Sequence, residues 1–75
     1  MKMETRYSQH QLETVLASAS RVTETDMEWA ATFDNDCTVQ YDRFVSEKFK
    51  AGETVVISKS PKKSYMGRYY EGIRK

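Results

Sequence analysis

The chain has few of the residues on which chemically specialised small proteins depend. Its 75 residues include one cysteine, one histidine, one proline and three glycines. The single cysteine, Cys37, cannot form an internal disulfide, whereas small secreted domains usually contain several. The glycines are isolated from one another, so the sequence has no glycine-rich phosphate-binding loop. These shortages favour a reducing compartment, and we expect no cofactor.

Long apolar runs are also missing from the sequence. Uninterrupted aliphatic or aromatic runs are no longer than three residues, as in 29–31 and 55–57. A membrane-spanning helix needs about 20 such residues. The charged N-terminus is followed by no apolar stretch that would make it a secretion signal. We therefore expect a cytoplasmic protein that does not interact with membranes.

The length of the chain limits what its fold can contain. A protein of this size buries only about 60% of the surface that its unfolded form exposes, so its core is small. Three phenylalanines, five tyrosines and one tryptophan still provide enough apolar surface for a globular fold. We expect one small globular domain, 1–75, with little room for the cavity of an active site.

The charges are distributed unevenly along the chain, although the net charge is only +1. Residues 1–42 carry three basic and eight acidic side chains, whereas residues 43–75 carry nine basic and three acidic ones. Such polarity gives a folded protein two faces of opposite sign, unless folding interleaves the halves and blurs the pattern. The sequence alone leaves both alternatives open.

The first element is predicted to be a helix from about Ser8 to Arg21. Ser8 and Gln11 have the spacing of a capping box, in which each side chain bonds a free backbone amide at the start of a helix. Four apolar residues follow at the spacing of one helical stripe: Leu12, Val15, Leu16 and Ala19.

Two segments then alternate apolar and polar residues with the period of a strand. The apolar positions of the first segment are Met27, Trp29, Ala31 and Phe33. Those of the second segment are Cys37, Val39 and Tyr41. Because the residues between them, 34–36, are typical of a turn, the pattern predicts an antiparallel hairpin. We expect Trp29 to share its buried face and to contact the stripe of the helix.

The rest of the chain contains one further predicted strand and two ambiguous segments. Thr54–Ser58 is rich in β-branched residues and predicts a strand. Residues 43–50 either extend the second strand or form a short helix that is capped by Asp42 and stopped by Gly52. Residues 61–73 form either a helix or a further strand, and their periodicity favours the helix. The predicted fold is α+β, with an N-terminal helix on a small antiparallel sheet of three to four strands.

The sequence contains no recognisable catalytic or metal-binding set. His10 lies off the apolar stripe, which indicates an exposed side chain, and Cys37 shares the phase of a buried strand face. One histidine and one cysteine are too few for a tetrahedral zinc site without carboxylates. The acidic loop 34–36 lacks the twelve-residue calcium pattern. We therefore expect no enzymatic activity and no bound metal.

One basic segment with interleaved tyrosines is the candidate binding site. Its cations can neutralise phosphates and its rings can stack on bases, but the same residues are also typical of a solvated basic face or of a protein-binding face. The candidate binding residues are Lys59, Lys62, Lys63, Tyr65, Arg68, Tyr69 and Arg74.

Three functions fit these observations. We favour a non-enzymatic binding protein that regulates or inhibits a larger protein, or a protein–nucleic-acid complex, by covering its surface. The small size suits a protein encoded by a phage or a mobile element, for example an inhibitor of a host nuclease or defence complex. The alternative is a sequence-tolerant nucleic-acid-binding protein that uses the basic C-terminal segment. The third hypothesis is a small subunit that folds fully only as a homodimer.

Overall fold

The structure is a computed structural model that describes residues 4–59 and 69–74. This part of the chain contains one helix and seven strands. In chain order the elements are β1 (Glu4–Ser8), α1 (Gln9–Ser18), β2 (Arg21–Glu24), β3 (Glu28–Phe33), β4 (Cys37–Gln40), β5 (Ser46–Phe49), β6 (Glu53–Ser58) and β7 (Tyr69–Arg74).

The strands form two antiparallel sheets. The larger sheet has five strands in the order β1-β7-β6-β3-β2, and the smaller one is the hairpin of β4 and β5. The two edge strands of the larger sheet, β1 and β2, are the elements that α1 connects along the chain. The helix and the hairpin cover one face of this sheet and enclose the core.

The core contains residues from both sheets and from the helix. Burying side chains of this size contributes roughly 1.5–3 kcal/mol each, so this cluster supplies most of the apolar stabilisation. Its buried members are Tyr7, Leu12, Val15, Ala31, Phe33, Val39, Tyr41, Phe49, Val55, Ile57 and Tyr70. Trp29 is only partly buried and packs against this cluster, with its ring edge-on to Tyr70 at 5.6 Å between centroids.

The predicted fold class, a helix on a sheet of three to four strands, is wrong. The protein is mostly sheet, and its larger sheet alone has five strands. β1 and β2 were not predicted from the sequence because these edge strands are short. In addition, β2 has no buried residue, so it shows no alternation of apolar and polar positions.

The predicted hairpin between 27–33 and 37–41 is also wrong in its pairing. β3 pairs with β2 and β6, whereas β4 pairs with β5 in the other sheet. Alternation defines which face of a strand is buried but does not identify the neighbouring strand. The prediction of which side chains are buried is confirmed for Ala31, Phe33 and Val39. Met27 was also predicted to be buried but is 72% exposed.

The start of the predicted helix is confirmed, but its end is not. Ser8 and Gln11 form the reciprocal capping box, with 3.3 Å from Gln11 N to Ser8 Oγ and 3.1 Å from Ser8 N to Gln11 Oε1. The helix ends at Ser18, three residues before the predicted end at Arg21, because the chain becomes extended at Ala19 and then enters β2.

Each of the two ambiguous segments contains a strand in the part that the structure describes. The favoured C-terminal helix is wrong, since Tyr69–Arg74 is β7 and pairs with β1 and β6. Residues 61–68 lie outside the described part of the chain. Residues 43–50 form neither a helix nor a continuous extension of β4, because a tight turn precedes β5. The third predicted strand is confirmed as β6, Glu53–Ser58.

Candidate protein-binding site

The β4–β5 hairpin is attached to the larger sheet through aromatic packing. The ring of Phe49 on β5 stacks on that of Phe33 on β3, with 4.2 Å between centroids and 8° between planes. Val39 on β4 is also buried in this core. Because the base of the hairpin is part of the core, its outer end is held in a defined position.

A polar cluster around Glu47 forms a second attachment. The carboxylate of Glu47, on β5, accepts hydrogen bonds from the hydroxyl groups of Tyr7, at 3.1 Å, and Tyr41. Arg74 on β7 donates a further hydrogen bond to the same carboxylate. The side chain of Glu47 is only 13% exposed, so these three donors replace the water that it loses on folding.

Arg74 lies between two carboxylates and an aromatic ring. Its Nε is 3.3 Å from Oε2 of Glu53, an ionic contact that lacks the alignment of a hydrogen bond. Its guanidinium carbon is 4.6 Å from the centroid of the Phe49 ring. The backbone amide of Lys50 donates to the other oxygen of Glu53 at 3.1 Å. Arg74 therefore connects β5, β6 and β7 electrostatically.

The cluster changes the ionisation of its members. Burial, followed by the negative charge of Glu47 and the hydrogen bond to it, raises the pKa of Tyr7 above its ordinary value. Burial and the hydrogen bond to Glu47 raise the pKa of Tyr41 in the same direction. Burial acts to lower the pKa of Arg74. The negative charge of Glu47 and the hydrogen bond to it act in the opposite direction and outweigh burial, so the pKa of Arg74 lies above its ordinary value. Both tyrosines therefore remain neutral donors at physiological pH.

The hairpin turn itself is closed by several hydrogen bonds. The amides of Tyr41 and Asp42 donate to the carbonyl of Val45, at 2.9 and 3.1 Å, and the amide of Val45 donates back to the carbonyl of Asp42 at 3.3 Å. The side chain of Asp42 accepts from the amide of Arg43 at 2.9 Å. The turn therefore has a specified conformation although its side chains are exposed.

Phe44 projects from this turn into solvent. It is 90% exposed, which makes it the most exposed large apolar side chain among the described residues, and its neighbour Val45 is 46% exposed. The guanidinium carbon of Arg43 lies 5.5 Å from the centroid of the Phe44 ring. We call Arg43, Phe44 and Val45 the hairpin tip. It combines an aromatic ring, an aliphatic side chain and a cation on a hydrogen-bonded turn.

Of the predicted binding residues, Lys59 and Arg74 make ionic contacts within the fold. Nζ of Lys59 lies 2.5 Å from Oε2 of Glu24 and 5.0 Å from the centroid of the Trp29 ring. Tyr69 is half-buried where β7 begins. The remaining candidates lie outside the described residues: Lys62, Lys63, Tyr65 and Arg68. The predicted site therefore stays a prediction.

The residues considered for catalysis make structural contacts. Nε2 of His10 lies 2.9 Å from the backbone oxygen of Tyr41. Cys37 is half-buried and packs against the core. Within the described ranges, 4–59 and 69–74, no group of three histidine, cysteine, aspartate or glutamate side chains is placed to hold a metal ion.

The hairpin tip was not predicted from the sequence. Residues 43–50, which include the tip, were expected to extend the second strand or to form a short helix. The available signal was Asp42 directly after the second alternating segment, because aspartate is typical of turns. Turns consist mostly of glycine, proline, asparagine, aspartate and serine, so an exposed phenylalanine is unusual at this position.

The described part of the chain has no helix that is long and apolar enough to cross a membrane. Comparison with protein-family models, with curated proteins and with solved structures finds no match for this chain. The geometry of the hairpin tip and its attachment to the fold are therefore the observations that bear on function.

Proposed function

We propose that this protein is a non-enzymatic binding protein that covers part of the surface of a larger protein partner, with Phe44 as the anchor of the interface. The exposure of Phe44 on a hydrogen-bonded turn is the observation that carries the proposal. An inhibitor of a host nuclease or defence complex, encoded by a phage or a mobile element, is one example of this class.

The hairpin tip meets the energetic requirements of an interface anchor. Burying an exposed phenylalanine side chain contributes roughly 1.5–3 kcal/mol. Part of this gain is normally offset by the entropy of ordering the segment that carries the side chain. At the tip this cost is small, because the turn between Asp42 and Val45 is already closed and the base of the hairpin is buried.

The side chains of the tip indicate the chemistry of the partner. Phe44 and Val45 require an apolar pocket, and Phe44 is exposed enough to enter it without rearrangement. Arg43, which lies beside the ring, then reaches the rim of that pocket and favours a carboxylate there. Aromatic and arginine side chains are enriched at interface hot spots. We therefore expect an apolar pocket with an acidic rim.

The basic C-terminal segment is a weaker basis for the function. Two of its predicted phosphate contacts, Lys59 and Arg74, are paired with carboxylates in the folded protein. Binding phosphate with either residue requires breaking an ion pair, which lowers the gain from counterion release. Nucleic-acid binding is therefore the alternative outcome of the experiment below.

The test compares two truncations of exposed apolar residues. Phe44→Ala and Met27→Ala both remove a large side chain that is mostly exposed, 90% and 72% respectively, so neither should lower the thermal midpoint. Each variant is tagged and purified from its native cell beside the parent. The protein that co-purifies in stoichiometric amount is then mixed with purified variants, and its dissociation constant is measured.

We expect Phe44→Ala to weaken binding about 30-fold or more, which corresponds to about 2 kcal/mol for an interface hot spot. Met27→Ala should bind like the parent. Equal affinities of the parent and Phe44→Ala would contradict the proposal. Co-purification of nucleic acid alone, released by salt and unaffected by Phe44→Ala, would replace it with the alternative function.

A further inference from the structure

His10, in the first turn of α1, connects the helix to the turn of the β4–β5 hairpin. Its Nε2 lies 2.9 Å from the backbone oxygen of Tyr41, the residue that follows β4. A carbonyl oxygen only accepts hydrogen bonds, so the imidazole nitrogen is the donor. Within residues 4–59 and 69–74, no other side chain from outside the hairpin makes a hydrogen bond to residues 41–45. This bond is therefore a specific link between the helix and the segment that carries Phe44.

The other attachments hold the base and the middle of the hairpin. Phe49, whose ring is stacked in the core, lies at the end of the β4–β5 ladder that is farthest from the turn. Glu47 pairs with Val39 near the middle of the ladder and carries the polar cluster. An isolated two-stranded hairpin is marginally stable at best in water. The orientation of the turn therefore depends on contacts at Tyr41.

The bond from His10 holds the peptide unit on which the turn is built. The carbonyl of Tyr41 and the amide of Asp42 belong to one planar peptide unit. His10 donates to the oxygen of this unit, while the N–H of the same unit donates to the carbonyl of Val45 at 3.1 Å and closes the turn. Burial of the Tyr41 ring does not by itself determine the plane of this peptide. Hydrogen bonds at both ends of one peptide also polarise each other, so each strengthens the other.

We infer that His10 is a positioning residue of the hairpin tip. By holding the peptide that follows Tyr41, it sets the direction in which Phe44 points before a partner binds. The effect on affinity rests on the proposed function, because it requires Phe44 to be the anchor. A side chain that is already held in its bound direction loses less entropy on binding. One hydrogen bond of this kind is expected to change the affinity about three- to tenfold.

Two substitutions of His10 separate its hydrogen bond from its bulk. His10→Ala removes the donor, while His10→Gln keeps an N–H donor at the end of a side chain of similar length. Neither change should prevent folding, since His10 is exposed and both alanine and glutamine favour helices more than histidine does. Glu13→Ala is the matched control. Glu13 is also exposed on α1, and its side chain makes no hydrogen bond or ion pair with the described residues.

Amide hydrogen exchange tests the position of the turn without a partner. The N–H of Asp42 exchanges when the turn opens, whereas that of the buried Ile57 reports unfolding of the core. His10→Ala should speed exchange at Asp42 about three- to tenfold, and more than at Ile57. His10→Gln should restore most of the difference, and Glu13→Ala should match the parent. Unchanged exchange at Asp42 in His10→Ala, an equal rise at Ile57, or no rescue by His10→Gln would overturn the inference.

The effect on binding is measured as a dissociation constant for the protein that co-purifies with the parent. His10→Ala should weaken binding about three- to tenfold, and His10→Gln should restore it. In a chain that already carries Phe44→Ala, the change His10→Ala should have no further effect, because the direction of a missing anchor does not matter. Additive losses from the two changes would overturn the inference. Equal affinities of the parent and Phe44→Ala would instead overturn the proposed function, and exchange at Asp42 would still decide whether His10 positions the turn.

Discussion

Replacing Glu47 by glutamine should destabilise the protein far more than the same change at an exposed glutamate. The substitution keeps the shape of the side chain and one acceptor oxygen but replaces the other oxygen by a donor. The carboxylate now serves three donors, from Tyr7, Tyr41 and Arg74. A tyrosine hydroxyl beside the new amide must then turn from donor to acceptor, and Arg74 loses its closer counter-charge.

The expected cost follows from the burial of the cluster. Removing one partner of a fully buried ion pair costs about 3–5 kcal/mol. The cost should be smaller here, about 2–3 kcal/mol, because Arg74 keeps Glu53 as a neighbour at 3.3 Å and is itself 21% exposed. A domain of 75 residues has a stability of roughly 4–11 kcal/mol, so this is a substantial share.

Glu24→Gln is the matched control, since Glu24 forms an ion pair with Lys59 at 2.5 Å but is 60% exposed. It should cost about 0–1 kcal/mol, as exposed ion pairs do. Urea unfolding at neutral pH gives the free energy of unfolding of the parent and of both variants. An unchanged dependence on urea concentration shows that the unfolded states of the three proteins are comparable. If Glu47→Gln costs no more than Glu24→Gln, the cluster contributes no net stability and the reasoning is refuted.

Two further predictions concern Tyr7 and its neighbours. The pKa values of Tyr7 and Tyr41 are raised in the folded protein, so their contribution to stability is fully present below the pKa of an unfolded tyrosine, near 10. Above pH 10 the free energy of unfolding should fall by about 2.7 kcal/mol per pH unit, which is the sum for the two groups. Absorbance should show these tyrosinates forming only as the protein unfolds, and ionisation of every tyrosine near pH 10 in a folded protein would contradict the burial of the cluster. Gly72→Ala would place a Cβ 2.1 Å from Cε2 of Tyr7, so the ring must move and the thermal midpoint should fall by an amount equivalent to about 1–3 kcal/mol. A midpoint equal to that of the parent would show that the ring does not lie on this glycine.

The sequence predicted correctly those elements that are indicated by a pattern within a few consecutive residues. Ser8 and Gln11 marked the start of α1, because a capping box needs only residues three positions apart. The β-branched run in 54–58 marked β6 for the same reason. The strand order was out of reach, since nothing in the alternation of 28–33 states that β3 pairs with β2 and β6.

The C-terminal segment shows how one pattern can fit two structures. Its apolar residues fall on one side of a helix, but Gly72 is the position at which the ring of Tyr7 covers β7. Tyr7 is 65 positions away along the chain, so this contact leaves no local signal that favours a strand. The polar cluster was missed for the same reason, because Glu47 meets Tyr7 and Arg74 only through the pairing of distant strands.

The most direct test of the proposed function is photo-cross-linking at the hairpin tip in the native cell. A photoreactive phenylalanine analogue replaces Phe44 in one variant and Met27 in a control, two positions with exposed apolar side chains. The account predicts one discrete cross-linked protein from position 44 and none from position 27. No protein product from position 44, or the same products from both positions, would contradict the claim that the hairpin tip is the anchor of a protein interface.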